Sequence, residues 1–246
     1  MYINDTHILI YVAIGFIGIV VGQFIDWCNK QMPEYKKVFS KEIFTEYFKN
    51  FKPNYILIII TVVIFLGLVY SFGVSIDLFK YLLLAPMLLI AFCIDYKLQI
   101  IPNRLTLTMF EAGLVFTFIQ VISNTSLGIN VLINNLLGMI VGGGIFLLIT
   151  VIGGLIAGKE AMGFGDVKLM GALGLFVGWP SIIIVAVISF LLAAVISIAI
   201  LIAKKKNTNE YIPFGPFIVA STFVVIFTPF DLLLTIVLKI FTLGAF

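Results

Sequence analysis

Residues 162–168 read Met162-Gly163-Phe164-Gly165-Asp166-Val167-Lys168, and they set one aspartate between two apolar runs of membrane length. Asp166 has a glycine directly before it and another two residues earlier. A second aspartate, Asp95, ends an earlier apolar run and is followed by Ile101-Pro102-Asn103. Ionisable groups at membrane depth are costly, so each is a candidate functional group. Two carboxylates that meet in such a place suggest acid–base work on a peptide bond.

The composition makes membrane depth the right frame. Of 246 residues, 62% are hydrophobic and 11% charged, with a mean hydropathy of +1.21. Soluble domains carry about 25% charged residues. The expected fold is therefore all-α: a polytopic helical bundle forming one integral-membrane domain over residues 1–246. The stretch from Ile8 to Ile25 has no basic segment before it and no Ala-x-Ala site after it, so it reads as a first span that stays in place.

The two cysteines, Cys28 and Cys93, and the single His7 assemble neither a CxxC pair nor a His/Cys cluster. No four-ligand zinc site and no disulfide framework is expected from them. Cys93 reads as a small hydrophobe and His7 as an interfacial residue. Neither a metal nor a nucleic-acid partner is expected.

A spanning helix needs about 20 apolar residues. Candidate spans run about 8–26, 54–72, 78–94, 105–122, 131–157, 168–179, 181–203 and 214–240, eight in all. Ser123-Asn124-Thr125-Ser126 and Trp179-Pro180 supply turn chemistry between neighbours. With the N-terminus outside, the six lysines of residues 27–53 fall inside, together with Lys97, Arg104, Lys159, Lys168 and Lys204–Lys206. Only Lys80 and Lys239 of the 15 basic residues fall outside, and the excess of inside charge chooses this orientation. Asp95 then closes the third span and Asp166 opens the sixth on the same, cytoplasmic, face. The aspartates took no part in fixing that orientation.

From Lys168 to Trp179 is 12 residues, or roughly 18 Å at 1.5 Å per residue, against a hydrocarbon core of about 30 Å. Either this helix starts below the cytoplasmic surface, with Asp166 in a recess, or it is not a full span. Pro229 and Asp231 interrupt residues 216–246, which form one kinked span or a short span followed by an interfacial helix. Residues 27–53 are the longest polar loop and read as a basic cytoplasmic segment lying on anionic headgroups.

Two carboxylates about 3 Å apart cannot both ionise comfortably, so one keeps a proton. The ionised one takes a proton from an attacking water; the protonated one hydrogen-bonds the carbonyl and later protonates the leaving amine. The pair titrates as a unit, so the roles are not divided between them. Gly163 and Gly165 clear space beside Asp166 for an extended backbone, and Pro102 biases Ile101 toward an extended conformation. The plainer readings make Asp166 a helix N-cap and Asp95 an interfacial residue. Glu111 reads as a partner for Arg104, Asp26 and Asp231 as boundary residues, and Asp77 with Lys80 as an outside-loop pair.

Asp95 with Ile101-Pro102-Asn103-Arg104-Leu105-Thr106, followed by Gly163-Phe164-Gly165-Asp166-Val167-Lys168-Leu169, resembles the type IV prepilin peptidases, intramembrane aspartic proteases of the GxGD type. Gly171 to Gly178, and Ile212-Pro213-Phe214-Gly215-Pro216-Phe217, agree with it, so the likeness covers most of residues 85–220. The resemblance implies that Asp95 and Asp166 are the catalytic pair. It implies supporting or substrate-contacting roles for Gly163, Gly165, Lys168, Pro102, Asn103, Pro213, Gly215 and Pro216. It also implies cleavage of the short basic leader of prepilins or pseudopilins at the cytoplasmic face of a bacterial inner membrane, usually after a glycine.

The N-terminal quarter departs from the family. Gly22, Phe24 and Met32-Pro33 echo its Gly-Ser-Phe…Leu-Pro stretch only faintly, and the two CxxC pairs of the following loop are absent. N-methylation of the new N-terminus with S-adenosylmethionine, the second activity of bifunctional members, finds no assignable residue in this chain. Three readings compete, one of them a structural or assembly role without catalysis. A presenilin-like enzyme would carry Tyr-Asp at the first acid and Pro-Ala-Leu near the C-terminus, where this chain has Asp95-Tyr96 and Pro213-Phe214-Gly215-Pro216. An ion-coupled transporter would use Asp95 and Asp166 as ion or proton sites, but no inverted repeat is visible.

Overall fold

The computed structural model describes residues 2–4, 6–34, 38, 52–123, 127–158, 162–204 and 212–242. After two paired two-residue strands, β1 (Tyr2–Ile3) and β2 (Thr6–His7), the described chain is helical. The helices are α1 (Ile8–Gln31), α2 (Tyr55–Phe72), α3 (Ile76–Leu98), α4 (Asn103–Ser123), α5 (Gly128–Ala157), α6 (Phe164–Val177), α7 (Trp179–Lys204), α8 (Gly215–Phe227) and α9 (Phe230–Phe241). Six of them, α1 to α5 and α7, are long and apolar enough to cross a bilayer. The protein is an all-α, multi-pass membrane protein. Of the eight expected spans, the two that fall short of that length are α6, with 14 residues, and α8, with 13.

Several boundaries moved, each for a local reason. α1 continues to Gln31, so the polar loop begins later than residue 27; residues 35–37 and 39–51 of that loop lie outside the described residues. α3 runs on to Leu98, which puts Asp95 inside its last turn rather than at its end. Asp77 and Lys80 do pair, at 2.8 Å, but within the first turn of α3 and not in a loop. As far as residue 242, the stretch from 216 forms two helices, because Pro229 follows Thr228 in extended conformation and caps α9 afresh; residues 243–246 lie outside the described residues. The break after α6 falls at Gly178 (φ +81), one residue before the Trp179-Pro180 signal.

The contacts divide the chain into two compact units, Met1–Ile94 and Asp95–Phe246. In the first, His7 has a role that its sequence context did not suggest: its Nδ1 accepts from the N–H of Leu9 at 3.3 Å and caps α1. Gly18 and Gly22 lie one turn apart on α1 and let α2 approach closely. A Cβ on Gly22 would stand 2.7 Å from the Cα of Ile58. Small residues at four-residue spacing are how helices pack where lipid removes the hydrophobic drive to associate. Where α2 begins, Asn54 caps it, donates its side-chain amide to Asp26 at 2.9 Å and donates its backbone N–H to Gln23 Oε1 at 3.1 Å. Asp26 also pairs with Lys30 at 2.6 Å, so this boundary aspartate helps to tie the loop exit to α1.

The second unit is built around α6. Ten of its 14 residues are buried, from Asp166 to Phe176 with Lys168 left out, and it packs against α4, α5, α7 and α8. The seam with α5 is again made of glycines. Gly174 faces the Gly138 carbonyl too closely for any side chain, and a Cβ on Gly142 would meet the Met170 carbonyl oxygen at 2.6 Å. On the α4 side, Gly113 accepts Leu175 with the same economy of space. At about 1.5 Å per residue α6 is roughly 21 Å long. A helix that short is tolerated at membrane depth because its polar ends meet protein instead of lipid.

Overpacking a core costs about 1–3 kcal/mol. Gly174→Val should therefore lower the melting temperature in detergent, whereas Gly144→Val, at a glycine with nothing within 4 Å of an added Cβ, should leave it unchanged.

Candidate active site

α3 delivers the first acid. Asp95 is buried one turn before the helix ends, and the chain leaves through Gln99 in left-handed conformation (φ +56), whose N–H returns to the Asp95 carbonyl at 2.9 Å. A non-glycine residue in that region is held there at a cost by its surroundings. The Pro102 carbonyl then accepts from the N–H groups of Leu105 and Thr106 and starts α4 at Asn103. Four residues, Gln99 to Pro102, thus turn the chain from the end of one helix to the start of the next, and Gln99, Ile100, Ile101 and Asn103 become one wall of a cleft.

The opposite wall comes from the N-terminus of α6. Gly163, in extended conformation, is its N-cap, and Asp166 follows in the first turn, its N–H bonded to the Gly163 carbonyl at 3.1 Å. Asp166 is therefore not the N-cap that a plainer reading would make it. Its side chain is 5% exposed, and Oδ1 has no hydrogen-bond partner. A buried polar atom without a partner is rare. Gly165 lies so close to Ile101 that an added Cβ would stand 3.1 Å from that residue's own Cβ.

A third element closes the group. Gly215, the first residue of α8, donates its backbone N–H to Asp95 Oδ2 at 2.9 Å. The cleft between these walls has a volume of about 370 Å³ and is lined by both aspartates, Gly163, Phe164, Gly165, Lys168 and Phe214. Lys168 is engaged with Asn103 Oδ1 at 2.8 Å and lies over the Phe164 ring.

Of the residues expected at the site, Asp95, Asp166, Gly163, Gly165, Lys168 and Asn103 line this cleft. Gly215 touches it through Asp95. Pro216 is the second residue of α8. Pro102 and Pro213 stand in the connections leading into α4 and α8 rather than in the lining. Phe214, Gln99 and Ile100 were not expected there. Phe214 stands next to a motif glycine, but nothing local in the sequence marks Gln99.

Comparison with known proteins follows this geometry. The model of the type IV leader peptidase family matches residues 82–198, which include both aspartates. The leader peptidase HopD of Escherichia coli is 33% identical over 147 residues, covering 58% of this chain and 89% of HopD. The chain belongs to the type IV leader peptidase family. A prepilin leader peptidase/N-methyltransferase of Aeromonas hydrophila is 33% identical over 137 residues, 56% of this chain and 45% of that protein. The corresponding protein of Pectobacterium carotovorum is 32% identical over 180 residues, 71% of this chain and 60% of that one. The chain thus spans about half the length of the Aeromonas relative. No solved structure matches it.

Because Lys168 is held by Asn103 and not by either carboxylate, removing it should cost no more than a hydrogen bond to a charged group, about 1.5–3 kcal/mol or roughly 10- to 150-fold. Lys168→Met should stay within that range in kcat/KM; complete loss of activity would mean that the cation acts at the acids.

Proposed function

We infer that the protein is a membrane aspartic endopeptidase that removes the short basic leader of type IV prepilins or pseudopilins at the cytoplasmic face of a bacterial inner membrane. The observation that carries this reading is the pair of buried carboxylates, Asp95 and Asp166, facing one cleft with Asp166 Oδ1 unpartnered. Membership of a leader peptidase family supports it, as do relatives whose names state prepilin cleavage. Nothing in those relatives favours ion transport by the two acids.

The chemistry follows from the pair. Two neighbouring carboxylates share one proton. The ionised member takes a proton from a water molecule as the oxygen attacks the scissile carbonyl. The protonated member hydrogen-bonds the carbonyl oxygen and then gives its proton to the departing amine. Gly163 leaves the cleft wall without a side chain beside Asp166, where an extended substrate backbone would lie, whereas the missing side chain of Gly165 makes room for Ile101. A substrate with its own apolar helix would reach the cleft from the bilayer, its basic leader on the side where the lysines gather.

The names of the Aeromonas and Pectobacterium relatives also include methyl transfer. The cleft does not fit S-adenosylmethionine beside a peptide. Its volume of about 370 Å³ is near the lower end for one small-molecule ligand, and both carboxylates are committed to the peptide bond. No step is assigned to that donor.

The test is cleavage of a prepilin with glycine before the scissile bond, in membranes or detergent. Asp95→Asn and Asp166→Asn should each lower kcat by at least about 100-fold, the usual contribution of a general acid or base, while inserting and melting like the wild type. Cleavage that survives in either variant would end the two-aspartate mechanism.

A further inference from the structure

The two acids are held in different ways. Asp166 is fixed by its own helix start, whereas Asp95 leans on a residue 120 positions away, through the Gly215 N–H. The first-turn donors of α8 can be accounted for one by one. A helix leaves its first N–H groups without intrahelical partners. In α8, Pro216 has none to offer, and those of Phe217 and Ile218 both go to the Phe214 carbonyl. The one remaining donor, on Gly215, points at Asp95 Oδ2.

The missing side chain matters equally. A Cβ on Gly215 would stand 2.6 Å from Asp95 Oδ2, 3.0 Å from its Cγ and 3.2 Å from its Cβ. No other residue lets α8 begin so near the carboxyl without displacing it.

Two contacts hold α8 in that register. Phe214, just before Gly215, sits among Phe146 of α5, Phe190 of α7 and Phe217, with ring centroids 5.0–6.0 Å from its own. Farther along, Ser221 meets Ser189 of α7, oxygen to oxygen at 2.5 Å, and both serines are fully buried.

We propose that Gly215 is a positioning residue for Asp95: its N–H and its lack of a side chain together aim the carboxyl into the cleft, and the Ser189–Ser221 contact with the Phe214 cluster keeps α8 where Gly215 can do so. This rests on the aspartic peptidase reading above.

The experiment measures kcat and KM of prepilin cleavage for the wild type, Asp95→Asn, Gly215→Ala and Ser221→Ala, with a melting curve for each. Misplacing a reacting group by about 1 Å costs around 100-fold. Gly215→Ala should lose kcat on that scale with KM little changed. Ser221→Ala keeps the glycine and should lose about fivefold in kcat, the worth of one net hydrogen bond, again with KM little changed. If Gly215→Ala does not fold, Ser221→Ala decides. An unchanged kcat, or a loss of rate that only follows the loss of folded protein, overturns the positioning role while the inactivity of Asp95→Asn leaves the peptidase reading intact. A wild type that cleaves no prepilin overturns both.

Discussion

The close approach of α5 to α6 at Gly138, Gly142 and Gly174 is the contact on which the second unit depends. Lipid gives apolar helices no reason to leave it for one another, so packing has to come from fit. Removing side chains along one seam brings the backbones together and sinks α6 among α4, α5, α7 and α8. That burial allows a helix of 14 residues to exist at membrane depth, and its N-terminus carries Asp166 with it. The first unit uses the same device at Gly18 and Gly22.

From that seam the cleft assembles out of helix ends. The last turn of α3 and the first residues of α4, α6 and α8 supply its lining or its hydrogen bonds. Helix ends are where backbone groups lack partners, and the starts of helices favour negative charge. Three helix starts around two carboxylates therefore form a setting in which charge can be carried and moved away from bulk water. The left-handed Gln99 belongs to the same economy, since it lets α3 give way to α4 within a few residues and keeps both at the cleft.

Much of this was legible in the chain itself. Composition fixes the membrane class, and Asp95 and Asp166, each at the edge of an apolar run, meet at one cleft. What hydropathy cannot see is hydrogen bonding. The apolar run stops at Asp95, but the helical ladder continues to Leu98, so the acid lies inside α3. Residues 214–240 are one apolar stretch by hydropathy and two helices in fact, because a proline starts the second. The Gly215–Asp95 bond joins positions 120 apart and leaves no periodic trace. The Pro213-Phe214-Gly215-Pro216 motif marked the place, and only the structure shows the hydrogen bond made there.

The short length of α6 has a consequence for the space around the acids. A helix of about 21 Å set beside a hydrocarbon film of about 30 Å leaves a difference of roughly 9 Å. Because α6 is buried among α4, α5, α7 and α8, protein and not lipid meets that difference. The cleft lies at the N-terminal end of this helix. A water molecule entering at that end would have less apolar depth to cross than the thickness of a bilayer suggests.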